Sequence, residues 1–313
     1  MTTPLWLQNI LSNPKITDIC INGPQHLYVD QGFGLEPENT VPAAPWTEEE
    51  MRTWVLEQIS AAGKSWDARH PFIDGTVPSG HRLHVAFPPL AQQGILVSLR
   101  RLPGLQNNSI SGAARWAQSK LYGVLADAVG RGESVLIAGS TGSGKTTLAT
   151  DLLESVPPLE RILAIEDTPE LAPRHPHFIS LVSRAPNADG FGEVTPRTLL
   201  KQALRMRPDR IILGECRGTE VLDLLQALNT GHGGALATLH ANSPRDALRR
   251  MELLCLLASG GSIPLAAIRE LIAVGVQWIA QVKRTGPSRQ ISELARIEGR
   301  EGEMILLRPI TAN

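Results

Sequence analysis

Gly139-Ser140-Thr141-Gly142-Ser143-Gly144-Lys145-Thr146 fills every fixed position of the pattern G-x-x-x-x-G-K-[ST]. The apolar run Val135-Leu136-Ile137-Ala138 leads in as a buried strand would, and Thr147-Leu148-Ala149-Thr150-Asp151-Leu152-Leu153 leads out with helical apolar spacing. Glycine-rich turns are common, but here strand, turn, Lys-Thr and helix stand in register. Gly142 and Gly144 let the backbone curl so that successive N–H groups face phosphate oxygens at the positive end of the next helix. Lys145 is placed to reach the outer phosphates, and the Thr146 hydroxyl to ligate Mg²⁺. The expected phosphate-binding set is Gly139, Ser140, Thr141, Gly142, Ser143, Gly144, Lys145, Thr146 and Thr147.

Outward from this loop, the 313 residues exceed one compact core and predict two domains, or one with a large extension. Hydrophobic residues make up 42% and charged residues 19%, an ordinary globular balance. The net charge of −1, from 30 Lys+Arg against 31 Asp+Glu, provides no global field for holding a nucleic-acid backbone. Cys20, Cys216 and Cys255 stand alone, as small buried residues of a reducing cytoplasm do. With no long apolar run and no basic leader before an apolar core, the chain reads as soluble, neither spanning nor secreted.

The opening residues Leu5, Trp6, Leu7, Ile10 and Leu11 have helical spacing. Ile16–Ile21 and His26–Asp30 flank Asn22-Gly23-Pro24 as a strand–turn–strand unit. The piece around Pro37, Pro42 and Pro45 reads as loop. A helix then starts at Thr47, where Glu50 completes a capping box, and Gly63 is its stop. In Arg82–Phe87 and Ile95–Arg100 alternation places Leu83, Val85, Phe87, Ile95, Val97 and Leu99 on a core face, and Arg82 and Arg100 opposite it. Arg101 to Ser119 lacks periodicity. It divides residues 1–101, an α+β domain, from residues 120–313, with 102–119 as linker. Beyond it, apolar runs (Val135–Ala138, Ile162–Ile165, Phe178–Val182, Ile211–Leu213, Ala235–Leu239) alternate with helical patterns, which builds an α/β domain around a mostly parallel sheet. The tail (Val276–Val282, Ile291–Ile297, Met304–Leu307) reads as short antiparallel strands.

Phosphoanhydride hydrolysis needs acids near Mg²⁺ and a group that orients water. Two apolar runs end in acids: Ile162-Leu163-Ala164-Ile165 in Glu166-Asp167, with Glu170 close behind, and Ile211-Ile212-Leu213-Gly214 in Glu215. Strand C-termini of an open parallel sheet form the ligand crevice, so both acids belong beside the loop. His240 closes the run Ala235–Leu239 at that same end, where a ring N–H can sense a γ-phosphate, whereas His232 opens it. The spacing of the two histidines is not a zinc pattern.

The loop, the acidic box Ile165-Glu166-Asp167-Thr168-Pro169-Glu170-Leu171, the stretch Leu204-Arg205-Met206-Arg207-Pro208-Asp209-Arg210 before Gly214-Glu215-Cys216-Arg217-Gly218, and the histidine box Thr230-Gly231-His232-Gly233 to Thr238-Leu239-His240-Ala241-Asn242 occur in this order. Together they resemble the type II/type IV secretion traffic ATPases, nearest the tight-adherence pilus and type IV secretion motor branch. Ser79-Gly80-His81-Arg82-Leu83 and Ile95–Arg101 resemble that family's N-terminal segments. The resemblance implies a RecA-like P-loop motor domain, a PAS-like N-terminal domain, and a homo-hexameric ring that hydrolyses ATP with Mg²⁺. It implies a place on the cytoplasmic side of the inner membrane, peripherally attached to the platform protein of a pilus or secretion system. Carried over residue by residue, Lys145 and Thr146 bind phosphate and Mg²⁺, and Glu215 is the Walker B acid and second Mg²⁺ ligand. Glu166 orients the water ahead of Glu170, His240 senses the γ-phosphate, and Arg82 and Arg100 reach the phosphates. Arg197, Arg205 and Arg207 fall where the family carries arginines that couple subunits or touch phosphate.

Two departures matter. The Walker B strand ends Gly-Glu and not in Asp, so Mg²⁺ ligation and water activation can divide differently between Glu215 and Glu166. The long amino-terminal docking extension and the tetracysteine module of some relatives are not expected here. The rival reading is a RecA-like nucleic-acid translocase. The near-neutral charge and aromatics at 4% weigh against it, because single-strand channels favour basic grooves with stacking rings.

Overall fold

A computed structural model describes residues 3–39, 45–68, 70–102, 112–116, 119–186, 190–285 and 288–311. The chain divides into two compact units, residues 1–107 with 186–191, and residues 108–185 with 192–313.

In the first unit, helix α1 (Leu5–Ser12) is followed by β1 (Asp18–Asn22), β2 (Leu27–Asp30), β3 (Leu35–Pro37), α2 (Glu48–Ala61), β4 (Phe72–Thr76), β5 (His81–Ala86) and β6 (Leu96–Arg101). The strands form one antiparallel sheet in the order β3-β2-β1-β6-β5-β4. Thr47 caps α2 through the reciprocal box with Glu50 that the sequence announces. One face of the sheet carries Ile19, Ile21, Val29, Leu83, Val85, Val97 and Leu99 into a core completed by Leu7, Met51, Trp54 and Ile59 of the helices. The opposite face presents Asp18, Cys20, Asp30, Arg82, His84 and Arg100, as the period of two requires. Arg101 turns inward and its guanidinium donates to the carbonyls of Ile16 (3.0 Å) and Asn13 (2.9 Å). Pro37, read as loop, ends the edge strand β3, where a missing N–H is tolerated, and Pro42 lies outside the described residues. The sequence Phe72-Ile73-Asp74-Gly75-Thr76 has no clean apolar–polar alternation, so β4 is not among the expected strands.

In the second unit, α3 (Gly112–Arg115) and α4 (Lys120–Gly130) precede β7 (Val135–Gly139), α5 (Lys145–Leu153), β8 (Ile162–Glu166) and β9 (Phe178–Val182). Then come α6 (Pro196–Ala203), β10 (Arg210–Leu213), α7 (Glu220–Leu228), β11 (Leu236–Leu239), α8 (Pro244–Ala258), α9 (Leu265–Gly275), β12 (Trp278–Thr285), β13 (Ser288–Glu301) and β14 (Met304–Ile310). The sheet runs β14-β13-β12-β7-β11-β10-β8-β9, parallel from β12 to β9. Strands β7, β8 and β10 are buried at every residue, because both faces are covered, hence their apolar runs, broken only at the ends by the bonded charges Glu166 and Arg210. Leu136, Leu163 and Ile211 point into the core shared with α6 to α9, and Val135, Ile137, Ile162 and Ile212 into that shared with α4 and α5. This is the RecA-like α/β arrangement.

One expectation is corrected. The tail is not wholly antiparallel: β12 pairs in parallel with β7, and only β13 and β14 are antiparallel additions. Within the expected linker 102–119, residues 103–111 and 117–118 lie outside the described residues, but Gly112–Arg115 are helical and packed on α5. There Arg115 Nη1 donates to both oxygens of Asp151 at 2.8 Å, and Trp116 Nε1 donates to Asp151 Oδ2 at 2.8 Å. Gly112 has no room for a side chain, since a Cβ would sit 2.6 Å from Asp151 Cβ.

Candidate functional site

The loop between β7 and α5 is shaped by its glycines. Gly142 has φ 71° and Gly144 φ 104°, both left-handed values that an L side chain strains to adopt. Gly139 is required for a different reason: a Cβ there would come within 2.6 Å of the Val282 carbonyl oxygen on β12. Gly144 is the N-cap of α5, so the first N–H groups of that helix have no carbonyl partner within it. Ser143 Oγ is buried in the loop without a hydrogen-bond partner.

Lys145 is 7% exposed. Its Nζ donates to the carbonyls of Gly139 (3.1 Å) and Ser140 (2.9 Å) and lies 3.4 Å from His240 Nδ1. Burial lowers its pKa, against the opposing pull of Glu215 and Glu170. His240 stands just past the end of β11 with Nε2 3.0 Å from Glu215 Oε1. Burial first, then the charge of Lys145, lowers the histidine below its usual value. Glu215 follows β10 and accepts from Arg217 Nη2 at 2.6 Å. Burial alone would raise its pKa, but Arg217, His240 and Lys145 outweigh that and the net shift is downward. Thr238 Oγ1 donates to the Gly214 carbonyl at 2.5 Å, which ties the β10 exit to β11.

On the far side of Lys145, the Thr146 hydroxyl donates to Glu170 Oε2 at 3.3 Å. Glu166, expected as the water-orienting carboxylate, is placed differently. It is 3% exposed, its Oε1 accepts the backbone N–H groups of Glu170 and Leu171 at 2.8 Å each, and its Oε2 accepts the Ser180 hydroxyl at 2.6 Å. Burial raises its pKa against those three bonds. Glu166 is a brace for the turn that carries Glu170. Glu170, placed second in the sequence reading, is the carboxylate that meets Thr146. The Thr146 hydroxyl and the Glu170 carboxylate that it meets are hard oxygen donors, which fits Mg²⁺.

The remaining candidates lie elsewhere. Arg82 and Arg100 are register partners on β5 and β6 of the first unit, over a cavity of about 530 Å³ that Asp18, Asp74 and His84 also line. Arg100 Nε donates to Asp18 at 2.7 Å. Arg197 is paired with Asp223 at 2.5 Å, and Arg205 and Arg207 are exposed. Among the described residues Arg207 is the one non-glycine with positive φ, at 54°. His232 lies before β11, at the opposite strand end from His240. Sequence reading missed Arg289, which reaches from the start of β13 to the loop, and no local pattern around it signals that contact.

Residues 8–284 match the family model described as type II/IV secretion system protein. The chain is 41% identical over 306 residues to a putative conjugal transfer protein of Mycobacterium tuberculosis, covering 95% of this chain and 85% of that one. Among solved structures, the VirB11 ATPase of the Brucella suis type IV secretion system, in complex with sulphate, superposes with a TM-score of 0.51 at 27% identity, covering 93% and 92% of the two chains. The pilus retraction motor PilT with bound ADP shares the fold at a TM-score of 0.65 and 19% identity, covering 99% of this chain and 84% of that one. By the extent of the family match and the identity to its relatives, the chain belongs to the type II/IV secretion system protein family.

Proposed function

We propose that this protein is a Mg²⁺-dependent ATPase that works as a homo-hexameric motor for a secretion or pilus machine, docked on a platform protein at the cytoplasmic face of the inner membrane. The observation that carries the reading is the convergence of Lys145, His240 and Glu215 at the mouth of the glycine loop, with Thr146 and Glu170 alongside. That arrangement offers what phosphoryl transfer to water needs, which is positioning and charge neutralisation without covalent chemistry.

In this reading the loop N–H groups and Lys145 hold the outer phosphates. To do so Lys145 exchanges the Gly139 and Ser140 carbonyls for phosphate oxygens. Thr146 and Glu170 would hold Mg²⁺, which when bound neutralises charge on the phosphate oxygens. Glu215 orients the attacking water, kept ionised by Arg217, His240 and Lys145. The division of labour between the acids is therefore Glu170 for metal and Glu215 for water, with Glu166 as support. His240, in contact with both Lys145 Nζ and Glu215, would couple the phosphate-holding lysine to the water-orienting acid. Arg82 and Arg100 retain their role as phosphate contacts on the strength of the family resemblance.

Steady-state phosphate release tests the core of this. Lys145→Ala is expected to lower turnover by about 10²–10³-fold or more, the loss seen when one preorganised donor is removed from a developing oxyanion. Hydrolysis by Lys145→Ala at the parent rate would show that the loop is not the site.

A further inference from the structure

We propose that Arg289, at the start of β13 opposite Arg284 of β12, binds the α-phosphate of the nucleotide and so anchors its nucleoside end. The inference rests on reading Gly139–Thr146 as an ATP site.

The sheet order sets the direction of the bound chain. Strand β7, which feeds the loop, lies between β11 and β12. His240, Glu215 and Glu170 all issue from the β11-β10-β8 side, and they mark the outer-phosphate end. A triphosphate is linear, so its α-phosphate and nucleoside leave toward the other flank, where β12 and β13 stand.

Arg289 occupies that flank. Its stem lies on Gly144, where a Cβ would meet Arg289 Cδ at 2.6 Å, and its Nη1 donates to Thr147 Oγ1 at 3.3 Å. Gly144, Thr147 and Asp151 share one face of α5 by helical spacing. The guanidinium thus sits beside the positive end of the helix, with the like charges of Arg284 and Arg115 near and only Asp151 in opposition. Among the described residues Arg289 makes no ion pair. A cation held against a helix N-terminus and two other cations, with Asp151 alone to offset them, is unfavourably placed, and an anion between Arg289 and the loop N–H groups relieves the conflict. The mechanism proposed above leaves the α-phosphate without a side-chain cation, and Arg289 is positioned to supply it.

Nucleotide titration and turnover of the full-length protein decide this, with Lys145→Ala as the reference. Arg289→Ala is expected to weaken ATP and ADP by the same factor, about tenfold for one charge-assisted contact, with turnover at saturating ATP and the thermal midpoint unchanged. Arg289→Lys should recover part of the affinity, because it restores charge without the planar fork. Loss of ATP affinity with ADP unaffected would place Arg289 on the γ-phosphate and overturn the proposal. A fall in saturated turnover would make it a loop-positioning residue, and unchanged affinity for both nucleotides would remove it from the site. If the parent and Lys145→Ala bind ATP equally, the loop itself is not the nucleotide site and both readings fall.

Discussion

The backbone N–H of Glu170 donates to Oε1 of Glu166 at 2.8 Å. The two acids of one short box thereby have separate tasks, one buried and bracing, the other carried out to Thr146. Substituting each by its amide separates them. Glu166→Gln keeps an oxygen for the N–H groups of Glu170 and Leu171 and removes a charge whose burial is unfavourable, so turnover is expected within a few-fold of the parent. Glu170→Gln is expected to raise the Mg²⁺ concentration needed for half-maximal turnover by about tenfold or more, as loss of one hard ligand should. Magnesium titration of both variants is the measurement. A Mg²⁺ dependence altered in Glu166→Gln and intact in Glu170→Gln would reverse the assignment.

His240 bridges Glu215 and Lys145 as a neutral ring, accepting at Nδ1 and donating at Nε2. Its pKa lies below the usual value near 6.5, through burial and then Lys145, so the neutral form prevails at neutral pH. As pH falls through the lowered pKa, the added proton displaces the Nδ1 contact with Lys145. Turnover is therefore expected to decline on an acid limb centred below 6.5. His240→Gln should have lower activity and no such limb, as a pH–rate profile would reveal.

Asp151 holds α3 to the loop helix through Arg115 and Trp116, and its side chain is 4% exposed. Asp151→Ala removes the carboxylate that accepts from Arg115 and Trp116 and is expected to cost about 2–3 kcal/mol, the order of a buried hydrogen bond to a charged group. Chemical denaturation measures it. Gly112→Ala, which drives a methyl group toward Asp151, should loosen the same clamp, seen as faster amide exchange in Gly112–Trp116.

His81 begins β5 and is 2% exposed, with Nε2 buried and unpartnered. Burial, then Arg101, lowers its pKa from 6.5. The unfolded chain then binds a proton that the folded chain refuses, so the stability this group contributes is complete above 6.5 and is lost as pH falls toward the folded pKa. Melting of the protein between pH 7.5 and 5 is expected to show a fall that His81→Asn reduces.

The glycine loop and its flanking strand and helix were legible in sequence because their conformation is local. Positive φ at Gly142 and Gly144 and a strand-to-helix turn around Lys145 are properties of neighbours in the chain, and the pattern of residue types states them. The same holds for the capping box at Thr47 and for the apolar runs of β7, β8 and β10, whose two covered faces admit a charge only where it is bonded, as at Glu166 and Arg210. The sequence also brought Glu215 and His240 to the crevice, since both close parallel strands. What it could not state was decided by distant partners. Ser180 and the turn at Glu170 turn Glu166 into a brace, the pairing of β12 with β7 brings the hairpin and Arg289 over Gly144, and Asp151 draws Gly112–Arg115 out of the expected linker. A side chain's environment depends on which segments pack beside it, and only the tertiary fold sets that.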